Sequence, residues 1–117
     1  MLHVLKINKG AGEMKKYKAL PIWIDINADE HPMDELTVDD VIERLIRYWT
    51  ELTGYIDGEP AGVLSIKKGY ATFFVGYDGC ILDMDVPRED LDTAILYKGK
   101  TLKELLEEDI FYDVNVY

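Results

Sequence analysis

The chain is poor in the residues on which most small-site chemistry depends. It has one cysteine, Cys80, and two histidines, His3 and His31, in 117 residues. A single cysteine excludes an internal disulfide framework and fits a reducing compartment. Two imidazoles mean that any histidine-based metal site or acid/base pair must use His3, His31 or both. Cations are scarce as well: 13 Lys and Arg stand against 23 Asp and Glu, a formal net charge of -10. That balance opposes a surface that neutralises phosphates or anionic lipid, so neither direct nucleic-acid binding nor a membrane partner is expected. No apolar run approaches the ~18 residues of a membrane span, and the start of the chain shows no secretory h-region, so a cytoplasmic location is expected. Proline is sparse, with 4 in all, and no Pro/Ser tract or internal repeat marks a boundary. Residues 1 to 117 therefore read as a single domain, with 48% hydrophobic residues enough for a real core.

The acidity is distributed in blocks. Residues 1 to 24 carry a balance of +4 from Lys6, Lys9, Lys15, Lys16 and Lys18 against Glu13. Residues 25 to 59 carry -9, residues 60 to 82 carry +1, and residues 83 to 117 carry -6. The first acidic block surrounds the clearest helix signal. Val38, Val41, Ile42, Leu45, Ile46, Trp49 and Leu52 form one stripe at helical spacing, predicting a helix from Val38 to about Leu52, with Gly54 as its stop. Thr37 stands as N-cap with Asp40 in the third helical position, and Leu36 is placed to staple against Val41. Asp40 with Arg44 and Glu43 with Arg47 make i,i+4 pairs of favourable orientation.

Around this helix the period changes to two. Residues 20 to 26 put Leu20, Ile22, Ile24 and Ile26 on one face and Trp23 and Asp25 on the other, and residues 2 to 8 alternate less cleanly. Gly58, Pro60 and Gly62 read as a connection. Strands are then expected near 63–67, 70–77 and 80–86, joined by turns at Lys68-Gly69 and Asp78-Gly79. In the third, Cys80, Leu82, Met84 and Val86 share a face expected to be apolar and buried, opposite Ile81, Asp83 and Asp85. Residues 87 to 92 read as a turn, and 93 to 98 as a further extended piece. Thr101 and Glu104 form a capping box before Leu102, Leu105 and Leu106, which predicts a short second helix. The final residues alternate, with Ile110, Tyr112, Val114 and Val116 against Phe111, Asp113, Asn115 and Tyr117. The predicted fold class is α+β: a mostly antiparallel twisted sheet in the order ββαβββ(β)αβ, with one long amphipathic helix packed on one face and a short helix near the C-terminus.

Candidate chemistry is thin. Cys80 as a nucleophile would need a base or a positive environment, whereas its alternation places it with Leu82 and Met84 as a small hydrophobe. Asp29, Glu30, His31, Asp34 and Glu35 have divalent-ion ligand types but lack the glycine and terminal Glu of an EF-hand loop, so they read as a solvated acidic loop. Asp83 and Asp85 share a strand face and, as paired carboxylates, could split into acid and base or hold a metal, though nothing supplies a third group. Gly10-Ala11-Gly12 ahead of Lys15 and Lys16 lacks the Walker pattern. No catalytic residue, metal ligand or cofactor is therefore assigned. The aromatic set, with Trp23, Phe111 and Tyr117 opposite the expected core and the 70–77 strand apolar on both sides, fits either a doubly covered strand or a face that meets a partner.

Carboxylates in excess beside surface aromatics suit a protein that binds another, basic protein. In size, charge and layout the chain resembles small immunity proteins in general, a likeness of kind. The expectation is a binding inhibitor of a basic toxin or nucleic-acid-binding enzyme, acting through Asp29, Glu30, Asp34, Glu35, Asp39 and Glu43, with Trp23, Asp83 and Asp85 as further contacts. Two alternatives stand beside it: a small metal-dependent or nucleotide-handling enzyme built on the clustered carboxylates, and a homodimeric accessory or ligand-binding domain.

Overall fold

The computed structural model describes residues 15–19, 34–48 and 50–117. The strands predicted at 2–8 and 20–26 lie outside the described residues. Within them the α+β architecture holds. Strands β1 (Tyr17–Ala19) and β2 (Asp34–Leu36) pair antiparallel and lead into helix α1 (Val38–Arg47). Four strands follow, β3 (Leu52–Ile56), β4 (Glu59–Leu64), β5 (Tyr70–Val75) and β6 (Leu82–Pro87), then a short hairpin of β7 (Ile95–Tyr97) and β8 (Lys100–Thr101). Helix α2 (Leu102–Glu107) and strand β9 (Phe111–Val116) complete the chain. The main sheet is antiparallel throughout, in the order β6-β5-β4-β3-β9.

Helix α1 begins as its sequence dictates. The Thr37 hydroxyl accepts the Asp40 N–H, and the Asp40 carboxylate accepts the Thr37 N–H at 3.0 Å. Those two bonds satisfy donors that a helix start otherwise leaves unpaired. The end is a correction, since the helix stops at Arg47 rather than near Leu52. Tyr48 is extended (φ -131, ψ 176), and the Arg88 guanidinium donates to the Leu45 carbonyl through Nε at 3.0 Å and Nη2 at 2.6 Å. An arginine from the 3-10 turn that follows β6 thus serves a carbonyl that a further helical turn would have used. Leu52, which fits the helical stripe equally well, is instead a fully buried strand residue opposite Val63 and Val116.

The second correction concerns Gly58, Pro60 and Gly62. Asp57 and Gly58 both have positive φ (54 and 79) and make a two-residue turn between paired Ile56 and Glu59. This is the left-handed pair that a tight hairpin requires, and Lys98-Gly99 repeats it between β7 and β8. Pro60 and Gly62 lie inside β4. The Pro60 carbonyl accepts the Gly76 N–H at 2.7 Å, so the reciprocal bond that proline cannot give falls at the end of the β4–β5 ladder. At Asp78-Gly79 both φ values are also positive, but the pair sits within a longer connection containing a 3-10 turn, and β6 starts only at Leu82.

Both helices contribute to one buried cluster with a single face of the sheet. It contains Val41 and Leu45 from α1, Leu102, Leu105 and Leu106 from α2, and Leu52, Ile56, Val63, Phe73, Val75 and Phe111 from the strands. The burial of Phe111 corrects the expectation that it faces away from the core. Two residues of β9, Asp113 and Val114, oppose Gly54 alone, with Asp113 at φ 52, so the alternation inverts and Phe111 and Val116 both point inward. Gly54 permits this bulge, because a Cβ there would lie 2.6 Å from the Tyr112 carbonyl oxygen. No helix among the described residues is long and apolar enough to cross a membrane.

Candidate functional site

The residues singled out in the sequence fall into three groups. Trp23, Asp29, Glu30 and the neighbouring His31 lie outside the described residues. Asp34, Glu35, Asp39 and Glu43 surround α1, and Asp83 and Asp85 lie on the sheet face that the helices do not cover.

On the α1 side, β2 delivers Asp34 and Glu35 to the start of the helix, and the helical period brings Asp40 and Glu43 beside them. These four carboxylates line one hollow of about 410 Å³ together with Arg44 and Tyr48. A second hollow, of about 260 Å³, is lined by Asp39, Glu43 and Asp92 with Ile42, Ile46 and Arg47. The grouping is thus a surface that wraps α1. Several of its charges have local occupations. Arg44 reaches Asp34 at 2.7 Å rather than serving only its helical neighbour Asp40, Lys103 reaches Asp39 at 3.1 Å, and Arg47 approaches Glu43 at 3.8 Å. The carboxyl of Asp40 is held below the usual carboxylate range by the bond from the Thr37 backbone and then by that residue's hydroxyl. Glu35 sits across from Lys18 in the β1–β2 register. The exposed pairs are each worth little in stability and leave the carboxylates at the surface, with Asp39 and Glu43 side chains 71% and 66% exposed.

On the sheet side, cross-strand register sets Asp85 opposite Thr72 and Asp83 opposite Phe74. Asp85 accepts from Lys67 Nζ and from Thr72 Oγ1, both at 2.7 Å, and these two bonds hold its carboxyl below the ordinary value. The same contact holds the Lys67 ammonium above its ordinary value. Asp85 is therefore a fixed, charged acceptor at neutral pH, a poor partner for the acid/base division that paired carboxylates allow. Asp83 and Asp78 have no ion-pair partner among the described residues. Also among the described residues, no group of three or more His, Cys, Asp or Glu comes together in a way that could hold a metal.

Cys80 departs from expectation. It is exposed, in the connection before β6, with its sulfur close to Gly76, because the alternation that buries Val86 does not extend back past Leu82. The two-sided apolar character read for β5 is real, but only one side is covered. Ala71, Phe73 and Val75 are buried, while on the other side Tyr70 is exposed and Phe74 half-buried. Tyr55 and Tyr112 extend that open face as a cross-strand pair with ring centroids 6.1 Å apart. The feature that sequence reasoning missed is the hollow of about 350 Å³ where Leu64, Ile66, Phe74, Asp78 and Asp83 meet. Its signal was present in the alternation of β5 and β6, but with β4 starting too late there was no register to bring Leu64 beside them. Comparison with protein-family models, with curated proteins and with solved structures finds no match to this chain.

Proposed function

We propose that this chain is a small acidic binding protein whose α1 side occludes a basic surface on a partner protein, in the manner of an inhibitor of a basic toxin or nucleic-acid-binding enzyme. The observation that carries this reading is the gathering of Asp34, Glu35, Asp40 and Glu43 around one hollow, continued by Asp39 and Asp92 around the next. A clustered single-sign field steers an oppositely charged protein and rejects acidic competitors. The exposed free thiol of Cys80 fits a cytoplasmic setting, where it stays reduced. The self-associating alternative meets an electrostatic obstacle. Antiparallel pairing of two β6 strands about Met84 would set Asp83 of one copy opposite Asp85 of the other, a like-charge pair at a sheet edge.

The test is affinity capture from cells of the native host, with the wild-type chain and a Glu35→Lys/Glu43→Lys variant as baits. A basic protein retained only by the wild type supports the proposal. Its dissociation constant should then rise steeply between about 0.05 and 0.3 M salt. A partner held equally by both baits, or with affinity flat across that range, counts against it.

A further inference from the structure

The uncovered face of the main sheet carries a hollow that the α1 surface does not need and that the fold has built with some care. Its floor is apolar. Phe74 lies against β4 where Gly62 has no side chain: a Cβ on Gly62 would fall 2.7 Å from Phe74 Cε1 and 2.6 Å from the Leu52 carbonyl oxygen. Leu64 is half-buried beside it, and Ile66 at the rim is 65% exposed. Opposite the aliphatic rim stand two carboxylates. Asp83 packs directly onto the backbone of Gly79, where a Cβ would lie 2.9 Å from its Oδ2, and Asp78 precedes that glycine in the left-handed turn. The cation nearest in sequence to Ile66, Lys67, is already bonded to Asp85 at 2.7 Å. Neither Asp83 nor Asp78 has an ion-pair partner among the described residues.

We propose that this hollow seats an arginine side chain presented by a partner protein. The complementarity is of charge and of shape together. Arginine has a long apolar stem able to lie over Leu64, Ile66 and Phe74. Its guanidinium is planar, weakly hydrated and rich in donors, which suits a carboxylate rim above an aromatic floor. A wholly apolar side chain would bury Asp78 and Asp83 beside newly excluded water with only the Lys67 ammonium, already bonded to Asp85, near Asp83, and a carboxylate would be repelled. The site is on the opposite side of the sheet from α1, and the proposal stands whether or not the α1 surface binds a basic partner.

The test uses the full chain, isotopically labelled, titrated in separate experiments with three blocked tripeptides: acetyl-Leu-Arg-Leu-amide and its counterparts with norleucine or glutamate in the centre. The arginine peptide should shift the backbone amides of Leu64, Phe74, Gly79 and Asp83 saturably and bind about tenfold more tightly than the norleucine peptide, the scale of one charge-assisted contact. Asp83→Asn should remove most of that preference, and Ile66→Ser should weaken the arginine and norleucine peptides alike. Both replacements are at exposed side chains and are checked for retained amide dispersion. Equal binding of the arginine and norleucine peptides, shifts confined to the α1 amides, or no saturable shift overturns the proposal. So does a preference for arginine that survives in Asp83→Asn.

Discussion

The two faces of β5 carry similar side chains under different conditions. Phe73 and Phe74 are adjacent in sequence, and each pairs across strands with residues of β4 and β6. Phe73 is wholly buried among leucines of both helices, whereas Phe74 lies half-buried on a face with Asp83, Asp85, Tyr70 and Thr72. Covering a sheet face with helices makes it a core. Leaving the other uncovered makes its apolar residues a surface whose chemistry is set by the charges around it. Polar cross-strand contacts accordingly do on one face what hydrophobic packing does on the other: Asp85 ties Lys67 to Thr72, and Tyr112 Oη accepts the Gly58 N–H at 3.0 Å, pinning the β3–β4 turn.

The sharpest way to break that contrast is to truncate the two phenylalanines separately. Phe73→Ala should cost about 3–5 kcal/mol in denaturant unfolding, as a large side chain removed from a closed core. Phe74→Ala should cost less, about 1–3 kcal/mol, because part of its surface is already exposed to water. Equal losses would mean that the open face is covered in solution. Next in size are the glycines on which the two faces depend. Gly54→Ala, on the core side, and Gly62→Ala, on the open side, each place a methyl group 2.6 Å from a backbone oxygen, and each should lower stability by about 1–3 kcal/mol. A neutral Gly62→Ala would show that both the Phe74 ring and the Leu52 carbonyl are free to shift away from β4.

Smaller effects test the helices that make the covered face. Thr37→Ala and Thr101→Ala each remove the hydroxyl of a complete capping box and should cost about 1 kcal/mol, read as a lower unfolding midpoint at unchanged slope. The smallest expected effect is a pH dependence on the open face. The carboxyl of Asp85 is held low by Lys67 and Thr72, so folding favours its charged form. Its contribution is therefore fully present above the unfolded carboxylate value of about 3.9 and is lost as pH falls through the lower folded value. The melting temperature of wild type should exceed that of Asp85→Asn at pH 7, and the gap should shrink as pH falls below the unfolded carboxylate value of about 3.9. A gap that does not change with pH would show that the Lys67 and Thr72 contacts do not favour the charged form of Asp85.

What could be read in advance was what depends on near neighbours. Thr37 with Asp40 and Thr101 with Glu104 are three residues apart, and in the structure both pairs form capping boxes. The alternation of β5 and β6 correctly grouped Asp83 with Asp85. Three of the misreadings needed a distant residue. The end of α1 depends on Arg88, the inward turn of Phe111 depends on a bulge opposite Gly54, and the hairpin at Asp57-Gly58 was obscured by Pro60 and Gly62, which are tolerated in β4 because of what lies beside them. Cys80 was assigned to the core by carrying an alternation two residues past the true start of β6. The acidic set was divided in the same way: Asp34, Glu35 and Glu43 do meet around one hollow, as their proximity to the helix suggested, while Asp83 lines another hollow on the far side of the sheet.

By itself, then, the amino-acid order determined the α+β class, the helix starts, the excess of acid and its two blocks, because periodicity, capping and charge are properties of residues a few positions apart. The tertiary structure decided where α1 ends, which way β9 turns, which face of β5 is dry, and which carboxylates stand beside apolar side chains. Those outcomes rest on contacts between residues far apart in sequence, such as Arg88 with Leu45 and Gly62 with Phe74, whose partners are set only when the strands take their register.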